Sequence, residues 1–560
     1  MYILGISCYY HDSAACILKD GKIVAAAAEE RFTRKKHDNS FPINAINFCL
    51  REARITPKQL DYVGFYEKPL LKFDRIIETA VKKYPKSFWM FYKALPEWLT
   101  KKLRLPSTLR KKLKYNGKIY FINHHLSHAA SAFFLSPFHD SVIVTADGIG
   151  EWQSTGIYFG RDNHILPLRK INFPHSLGLF YSTITAFLGF KVNNDEYKVM
   201  GLAAYGKPSY YAKLKQKVIK VNQDGSFELN MKYFDFEWRQ RMYSNLFIKE
   251  FGKPRRPNAK ITKRDMDLAA SLQKITEEIM LLIARYAKRL TNADYLCVAG
   301  GVGLNSKANG RLLREANYKD IFFMPVAGDD GGSIGVAKYI WHSILGNKKR
   351  EELNHLYYGP EYSDKQIEDY FKERGVAYTK YKESELYKIV AKYLAENKIV
   401  GWFQGRMELG PRALGNRSIL ANPCNPRMKD IVNKKVKHRE AFRPFAPAVL
   451  KEHAKEFFEL GKDAPYMIYT TFVKKEKQKI IPAVTHVDGT ARPQTVDKEI
   501  NPRFYKLIRE FSKLIGVPVL LNTSFNVRGE PIVCNIEDAY NCFKKTGIDV
   551  LVAGKCIVEK

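Results

Sequence analysis

Short apolar segments that run directly into loops rich in glycine and charged residues recur along this chain. Residues 142–147 (VIVTAD) and 295–301 (YLCVAGG) have the composition of buried strands; the first ends in an aspartate and the second in a glycine turn. The N-terminal residues 2–28 predict further strands joined by a tight turn. Residues 266–290 have the spacing of a long amphipathic helix. Strands that alternate with helices indicate an α/β fold.

The length of the chain and one polar stretch predict more than one domain. At 560 residues the chain is too long for a single hydrophobic core, and the usual domain size suggests two to four. The best boundary is the stretch at residues 343–366, which contains GNKKREELNH and a proline. We therefore expect one domain at residues 1–350 and another at residues 357–560.

The chain is strongly basic and its cysteines are dispersed. Lysine and arginine number 92 against 58 aspartates and glutamates, which gives a formal net charge of +34. This balance attracts phosphates, nucleic acid or an acidic membrane, but a generally lysine-rich surface would give the same value. The eight cysteines include no Cys-x-x-Cys pair and indicate reduced thiols. With no signal peptide and no apolar run of about 18 residues, the sequence predicts a cytoplasmic protein without a transmembrane segment.

Residues 70–115 differ in composition from their surroundings. Apolar residues recur at helical spacing among Lys82, Lys83 and Lys86, aromatic residues follow, and the segment ends in LRKKLK. The pattern predicts basic, aromatic-rich helices inserted into the first domain. Two interpretations stay open: a lid that lysines keep soluble, or a surface that receives a large anionic or amphiphilic acceptor. Helices of this kind also bind acidic membranes, and their aromatic rings can stack on bases.

Histidines four residues apart lie on one face of a helix. His124 and His128 of HHLSH have this spacing and can both reach one metal ion, whereas we interpret His125 as a packing neighbour. Carboxylates complete many such sites. Asp147, at the end of a predicted strand, and Asp329, in GDDGGSIG, are the candidate oxygen donors. The histidine pair alone is weak evidence, and the two aspartates in strand-end, glycine-rich loops strengthen it.

Two glycine-rich segments have the pattern of strand-to-helix turns. They are residues 299–310 (AGGVGLNSKANG) and 327–335 (AGDDGGSIG), and backbone N–H groups in such turns can approach phosphates. Neither is a Walker A loop, because no Gly-Lys-Ser/Thr closes it. Together with the N-terminal strands and residues 144–150 (VTADGIG), they suggest the split, twofold-repeated ATPase architecture of the actin and sugar kinase superfamily.

Arginines in loops are concentrated in the second half of the chain. Six of them lie in segments rich in glycine or proline: Arg406, Arg412, Arg417, Arg443, Arg492 and Arg528. Guanidinium groups bind phosphate oxygens bidentately, so this array fits a polyphosphate or an acyl phosphate. Asn522, Ser524 and Asn526 of NTSFN add amide and hydroxyl groups at a strand end. Surface arginines without a ligand are the alternative interpretation.

Taken together, the motifs of the chain resemble those of one family. They are HDSAACIL with EERFTRKKHD, HHLSHAASAF, DGIGEWQST, GGVGLNSKANG, GRMELGPRALGNRSIL, FRPFAP and NTSFNVRGEPIV. Their order from residue 1 to about residue 554 is that of the nodulation-type O-carbamoyltransferases. Members of that family carbamoylate nodulation factors and antibiotics such as tobramycin and cephamycins.

The resemblance implies two catalytic units. The N-terminal unit is similar to the actin-like fold of the universal tRNA threonylcarbamoyl-transfer protein, and the C-terminal unit resembles YrdC, which makes acyl-adenylates. Carbamoyl phosphate and ATP, with Mg²⁺, would react in the C-terminal unit to give carbamoyl-adenylate and pyrophosphate. The adenylate would then reach the N-terminal unit, where an iron ion (Fe²⁺) assists attack by the acceptor hydroxyl.

The resemblance also implies a role for each matched residue. The expected carbamoyl phosphate ligands are Arg412, Arg443, Arg492, Asn522 and Ser524, and the expected ATP ligands are Arg417 and Lys437. The expected metal ligands are His124, His128, Asp147 and Asp329, with Asp330 as an alternative to Asp329. His11, Asp12 and Lys36 match positions near the acceptor and the adenylate, and His11 or Asp12 is the candidate base.

The sequence leaves the acceptor open. A hydroxyl of a sugar, an antibiotic or another natural product is the expected acceptor. A nucleic-acid or nucleotide acceptor is an alternative that the positive charge favours, although no dedicated nucleic-acid-binding module is visible. A third hypothesis is a nucleotide-binding scaffold without catalysis, which the complete sets of metal ligands and arginines oppose. A homodimer is compatible with the resemblance.

Overall fold

The chain divides into two compact units. A computed structural model describes residues 1–560, except for the side chain of Lys101. The first unit contains Met1–Ala26 and Asn39–Leu353, and the second contains Ala27–Asp38 and Asn354–Lys560. The short segment Ala27–Asp38 thus belongs with the C-terminal residues, which the sequence did not predict. Among the described helices, none has the length and apolar character needed to cross a bilayer.

Strands occur throughout both units. In chain order, β1 to β22 are Tyr2–Ser7, Ala14–Lys19, Lys22–Ala28, Tyr62–Phe65, Lys118–Phe121, Asp140–Ala146, Gln153–Arg161, His164–Asn172, Ile219–Val221, Phe227–Leu229, Tyr295–Ala299, Asp320–Phe323, Thr379–Lys380, Val400–Phe403, Arg417–Ala421, Ala446–Leu450, Thr471–Phe472, Thr490–Ala491, Gln494–Val496, Val519–Ser524, Val550–Ala553 and Cys556–Glu559. The strands that the sequence predicted at residues 142–147 and 295–301 are confirmed as β6 and β11.

Helices alternate with these strands. In chain order, α1 to α19 are Glu30–Thr33, Ile43–Glu52, Pro69–Lys82, Phe88–Glu97, Leu105–Leu113, His124–Phe133, Leu177–Phe187, Glu196–Ala203, Tyr211–Lys217, Asn245–Phe251, Lys263–Thr291, Ser306–Glu315, Asp329–Tyr339, Asp364–Glu373, Glu383–Ala395, Met428–Val432, Ala454–Phe457, Pro502–Ile515 and Ile536–Lys545. Single π-helical turns occur at Trp98–Lys102, Ile340–Ile344 and Asn433–Lys437. The mixture of strands and helices confirms the α/β class.

The two large sheets of the first unit repeat one topology. The first has the order β3-β2-β1-β4-β5, in which β1 is antiparallel to β2 and parallel to β4, and β4 is parallel to β5. The second has the order β8-β7-β6-β11-β12, in which β6 is antiparallel to β7 and parallel to β11, and β11 is parallel to β12. The strand order therefore agrees with the predicted duplication.

Two helices of the first unit pack closely against each other. Helix α13 lies on β1 and β2, and α6 lies on β6 and β11. A Cβ atom at Gly335 of α13 would lie 1.8 Å from the carbonyl oxygen of Ser127 in α6, so only glycine permits this approach. The close packing holds the first turns of α6 and α13 near the end of β6.

The longest helix and the basic segment were predicted as helical, and both are. Helix α11 begins three residues before the predicted start, because Thr262 and Asp265 form a capping box: the Thr262 side chain accepts from the Asp265 N–H, and the Asp265 carboxylate accepts from the Thr262 N–H. The basic segment, residues 70–115, forms α3, α4 and α5.

A mixed eight-stranded sheet forms the second unit. Its order is β13-β22-β21-β14-β15-β20-β16-β19. Apolar side chains of α15 and α18 pack on one face, and those of α14, α16 and α19 pack on the other. Five of the six arginines that the sequence singled out lie in loops of this unit, whereas Arg417 begins β15.

Candidate active site

Four predicted metal ligands converge in the first unit. His124 and His128 lie in α6, Asp147 directly follows β6, and Asp329 begins α13. One Asp147 oxygen, Oδ2, lies 3.1 Å from Nε2 of His124 and 3.0 Å from Nε2 of His128. Oδ1 of Asp329 lies 3.7 and 3.6 Å from the same two nitrogens. Candidate ligand atoms of all four buried residues lie within 4.8 Å of one another.

The charges of this cluster depend on one another. Burial by itself raises the pKa of Asp147, but hydrogen bonds with His124 and His128 outweigh it and hold that pKa well below its usual range. Burial lowers the pKa of His128, whereas the carboxylates of Asp147 and Asp329 raise it to about 9. Ionised carboxylates beside imidazole nitrogens make the donor set that a divalent cation such as Fe²⁺ or Zn²⁺ accepts, so these residues fit a metal ion.

Two residues that the sequence did not single out support the cluster. The Tyr66 hydroxyl donates to Oδ2 of Asp329 at 3.2 Å. The Glu151 carboxylate accepts from the backbone N–H of His124 at 3.0 Å, at the start of α6. Hydrogen bonds of this kind orient ligands that contact a metal. Within the described residues, neither ligand histidine has a partner for its Nδ1 atom.

The candidate base residues lie beside the same cluster. Nδ1 of His11 lies 3.0 Å from Oδ2 of Asp12 and 4.0 Å from Oδ2 of Asp329. Burial lowers the pKa of His11, but the carboxylates of Asp329 and Asp12 outweigh it and raise the pKa to about 10. Asp330 accepts from the N–H of Gly331 at 3.1 Å and closes its own turn, and it is not among the four residues whose ligand atoms converge. The geometry therefore favours Asp329 over Asp330 as the ligand.

The glycine-rich loop after β11 meets the end of β6. Gly300 has a positive φ of 86°, and a Cβ atom there would lie 2.3 Å from the carbonyl oxygen of Ala146. Glycine is therefore required for the chain to turn at this point. The predicted role of this loop in phosphate binding remains a prediction.

Arginines from separate loops meet in the second unit. Burial is the largest cause that lowers the pKa of Arg492, and the charges of Arg412, Arg439 and Arg443 lower it further, to well below its usual range. Three of these four residues are predicted carbamoyl phosphate ligands; Arg439 was missed, because its neighbours Lys437 and His438 gave it no glycine or proline context. Three positive charges around a half-buried guanidinium favour an anion.

Lys437 belongs to the same positively charged region. Its Nζ atom donates to the carbonyl oxygen of Asn526 at 2.9 Å and also to the Ser524 carbonyl oxygen. Burial lowers the pKa of Lys437 to well below its usual range, and the charges of Arg439, Arg443 and Lys36 add to the effect. Lys36 therefore lies in the second unit, as part of the segment Ala27–Asp38, whereas His11 and Asp12 lie in the first.

The remaining predicted ligands differ in how they are held. The amide nitrogen of Asn522 donates to Gln494 at 2.8 Å, while its oxygen has no partner within the described residues. The Ser524 hydroxyl donates to Asn526 at 2.7 Å. Arg417 is fully buried, stacks on Phe403 and donates to carbonyl oxygens of Gln404, Gly405, Asn416 and Pro360.

These contacts give Arg417 a structural role that its sequence context did not indicate, because most of its N–H groups bond to the backbone. Two other loop arginines lie outside the convergent set. Arg406 donates to the carbonyl oxygen of Tyr358, and Arg528 pairs with Glu440 at 3.4 Å.

Comparison with known proteins decides the family. A family profile described as "Carbamoyltransferase N-terminus" matches residues 2–338, and one described as "Carbamoyltransferase C-terminus" matches residues 391–560. The chain belongs to the carbamoyltransferase family. It is therefore a transferase, and the resemblance that the motifs indicated is confirmed.

Relatives of this carbamoyltransferase span its whole length. An uncharacterised protein, sll1178, of Synechocystis sp. is 47% identical and covers 100% of this chain and 97% of its own. The nodulation protein NolNO of Sinorhizobium fredii is 37% identical over 99% of this chain and 79% of its own. HypF of T. kodakarensis, a solved structure, is 13% identical over 62% of this chain and 48% of its own, with a TM-score of 0.33. A structural similarity at that level identifies neither fold nor function.

Proposed function

We propose that this carbamoyltransferase uses ATP and carbamoyl phosphate to carbamoylate an acceptor hydroxyl, with activation and transfer at different sites. The observation that supports the proposal is the half-buried positive cluster around Arg492 in the second unit. Positive charges held close together and partly away from water are costly, and an anion lowers this cost. Carbamoyl phosphate and the triphosphate of ATP are such anions, and arginine forks suit their oxygens.

Activation belongs to the second unit in this proposal. Arg412, Arg443 and Arg492, with Asn522 and Ser524, would bind carbamoyl phosphate, while Lys437 would contact ATP with its Mg²⁺. In the first step, water hydrolyses carbamoyl phosphate to carbamate and orthophosphate. A carbamate oxygen then bonds to the α-phosphorus of ATP, the bond to the β-phosphate breaks, and pyrophosphate leaves. Fixed cations suit this step, because charge develops on the leaving pyrophosphate.

Transfer belongs to the first unit. The acceptor oxygen would bond to the carbamoyl carbon, and the bond from that carbon to the AMP oxygen would break. His11 or Asp12, whose side chains lie 3.0 Å apart, would take the hydroxyl proton. His124, His128, Asp147 and Asp329 would hold the metal, for which the resemblance suggests Fe²⁺. A metal ion here supplies Lewis-acid polarisation of the carbonyl.

The fold assignments form part of this proposal. The repeated strand order of residues 1–350 supports an actin-like unit, and the mixed sheet with helices on both faces supports a YrdC-like unit at residues 357–560. The acceptor class that we propose is a hydroxyl-bearing sugar, antibiotic or other natural product. Because ATP is a substrate, we place the reaction in the cytoplasm.

The decisive experiment is isotope exchange between ATP and pyrophosphate in the purified protein. We expect exchange only when carbamoyl phosphate is present, together with release of orthophosphate. Exchange without carbamoyl phosphate would show a different acyl donor. No exchange under any condition, with metal and Mg²⁺ supplied, would refute the adenylate mechanism.

A further inference from the structure

Helix α4 lies in the first unit without a single buried side chain, although its sequence is FWMFYKALPE. The end of α3, the turn after it and α4 together present six exposed apolar side chains: Val81, Tyr84, Phe88, Trp89, Met90 and Tyr92. We call these six residues the aromatic surface. Trp89 is 68% exposed and Tyr84 is 72% exposed, whereas Trp98, the residue directly after α4, is buried.

Three rings of the aromatic surface, those of Phe88, Trp89 and Tyr92, contact one another. Phe88 stacks on Tyr92 with centroids 6.0 Å apart, and Trp89 meets the edges of both rings. Contiguous apolar groups on a protein surface mark a site of contact with a partner or a membrane. Tyrosine and tryptophan are also the residues enriched where a membrane meets water, because their rings have one apolar and one polar part.

The charge around the aromatic surface is strongly positive. Residues 68–114 contain fourteen lysines and arginines but three acidic residues. Lys82, Lys86 and Lys93 are exposed and lie in the same stretch of chain as the aromatic surface. Lys82 pairs with Glu78, Lys86 lies over the Trp238 ring, and Lys93 has no ion pair within the described residues.

We propose that the aromatic surface docks the protein on a membrane that contains anionic lipids. Exposed aromatic rings would enter the headgroup region, and the surrounding lysines would lie beside lipid phosphates. A second copy of the chain is a poorer partner, because a twofold contact would bring two such basic stretches together at a net charge of +34 each. The lysines favour a negatively charged partner and the exposed rings favour an apolar one, and a membrane with anionic lipids has both properties.

Vesicle sedimentation tests the proposal on the full-length protein. We expect it to sediment with vesicles of equimolar phosphatidylcholine and phosphatidylglycerol, and to remain in solution with phosphatidylcholine alone. Binding to the anionic vesicles should weaken as salt rises, because salt screens the lysines from the lipid charge. A protein that stays in solution with both vesicle types at low salt overturns the proposal.

Two sets of variants separate the aromatic and electrostatic contributions. Replacing Lys82, Lys86 and Lys93 with glutamine should weaken vesicle binding by about fivefold per lysine, hence about a hundredfold together. Replacing Phe88, Trp89 and Tyr92 with serine should weaken it by at least about tenfold. Matched controls are glutamine at Lys475, Lys479 and Lys498, and serine at Leu166 and Val487, which are also exposed.

Each outcome bears on the proposal. Equal losses in the test and control variants would mean that the total charge, and not this surface, binds the vesicles. A wild-type dimer that the serine variant converts to a monomer would make the surface a self-association site and overturn membrane docking. Because all substituted side chains are exposed, pyrophosphate exchange should be unchanged in every variant, which also separates this proposal from the proposed function.

Discussion

The two units contain clusters of opposite charge: carboxylates beside histidines in the first unit, and arginines in the second. In the first unit, Asp147 and Asp329 face histidines that can take up protons, so the cluster carries some of its own neutralising charge. In the second unit, the charges of Arg412, Arg439 and Arg443 lower the pKa of Arg492, so they make its positive charge costlier. The first arrangement favours a cation, whereas the second favours an anion. The charge of each cluster therefore indicates the charge of its ligand: positive in the first unit and negative in the second.

The sharpest test of this contrast is to remove one charge from the positive cluster. Arg492→Met keeps much of the side-chain volume, and we expect exchange of pyrophosphate that depends on carbamoyl phosphate to fall by about a hundredfold or more. Because the charge is held among like charges, the unfolding temperature should equal or exceed that of the wild type.

Arg509→Met, at an exposed position in α18, is the matched control and should leave both values unchanged. A large drop in stability with Arg492→Met would mean that the cluster is neutralised internally, and the comparison would fail.

Neighbouring aspartates offer a test of the negative cluster. Asp329→Asn should lower metal content and carbamoyl transfer by more than about tenfold, since even the outer hydrogen-bond partners of metal ligands typically contribute 10- to 100-fold. Asp330→Asn should retain both, because Asp330 closes its own turn. Metal content is measured by elemental analysis. Pyrophosphate exchange should be normal in both variants, and its loss with Asp329→Asn would contradict separate sites.

A smaller effect is expected from pH in the second unit. The pKa of Lys437 lies well below the usual lysine value, because its side chain is buried, so Lys437 loses its charge at a lower pH than an ordinary lysine does. Anions favour the charged form, and the affinity for pyrophosphate should therefore fall with rising pH, by less than about tenfold per unit.

Isothermal titration with pyrophosphate at several pH values measures this slope. The Asp329→Asn variant should show the same slope as the wild type, because its change lies in the first unit. A Lys437→Met variant with the same slope as the wild type would show that Lys437 does not contribute its charge to the binding site.

The sequence predicted the four candidate metal ligands, but not the residues that form hydrogen bonds with them. The four-residue spacing of His124 and His128 guarantees a common helix face, and Asp147 follows a strand whose apolar run is plain in the sequence. Asp329 and Asp330 could not be distinguished, because they are adjacent and the sequence does not show which side chain the local backbone directs toward the histidines. Tyr66 could not be found at all, since 263 residues separate it from Asp329 and no local pattern marks a tyrosine that donates to a carboxylate.

The positive cluster shows a different limit. Glycine and proline beside Arg412, Arg443 and Arg492 indicated loops, and these three residues do meet. The same context did not indicate that Arg417 begins β15, where carbonyl oxygens and a phenylalanine ring enclose its guanidinium. Its contact with ATP stays a prediction. Local composition reports whether a residue lies in a loop, but burial and the partners of each N–H group are set by distant parts of the chain.

The segment Ala27–Asp38 has a consequence for the history of the gene. Arg34 donates to the carbonyl oxygens of Ile532 and Pro531, and Arg31 donates to that of Gly410, so the second unit takes an early segment of the chain into its structure. During synthesis, Arg34 cannot form its hydrogen bond with Ile532 until the ribosome has added 498 more residues. A single recombination event near residue 354 would pair a C-terminal unit with a foreign copy of this segment, Lys36 included. The two units are therefore expected to be inherited together.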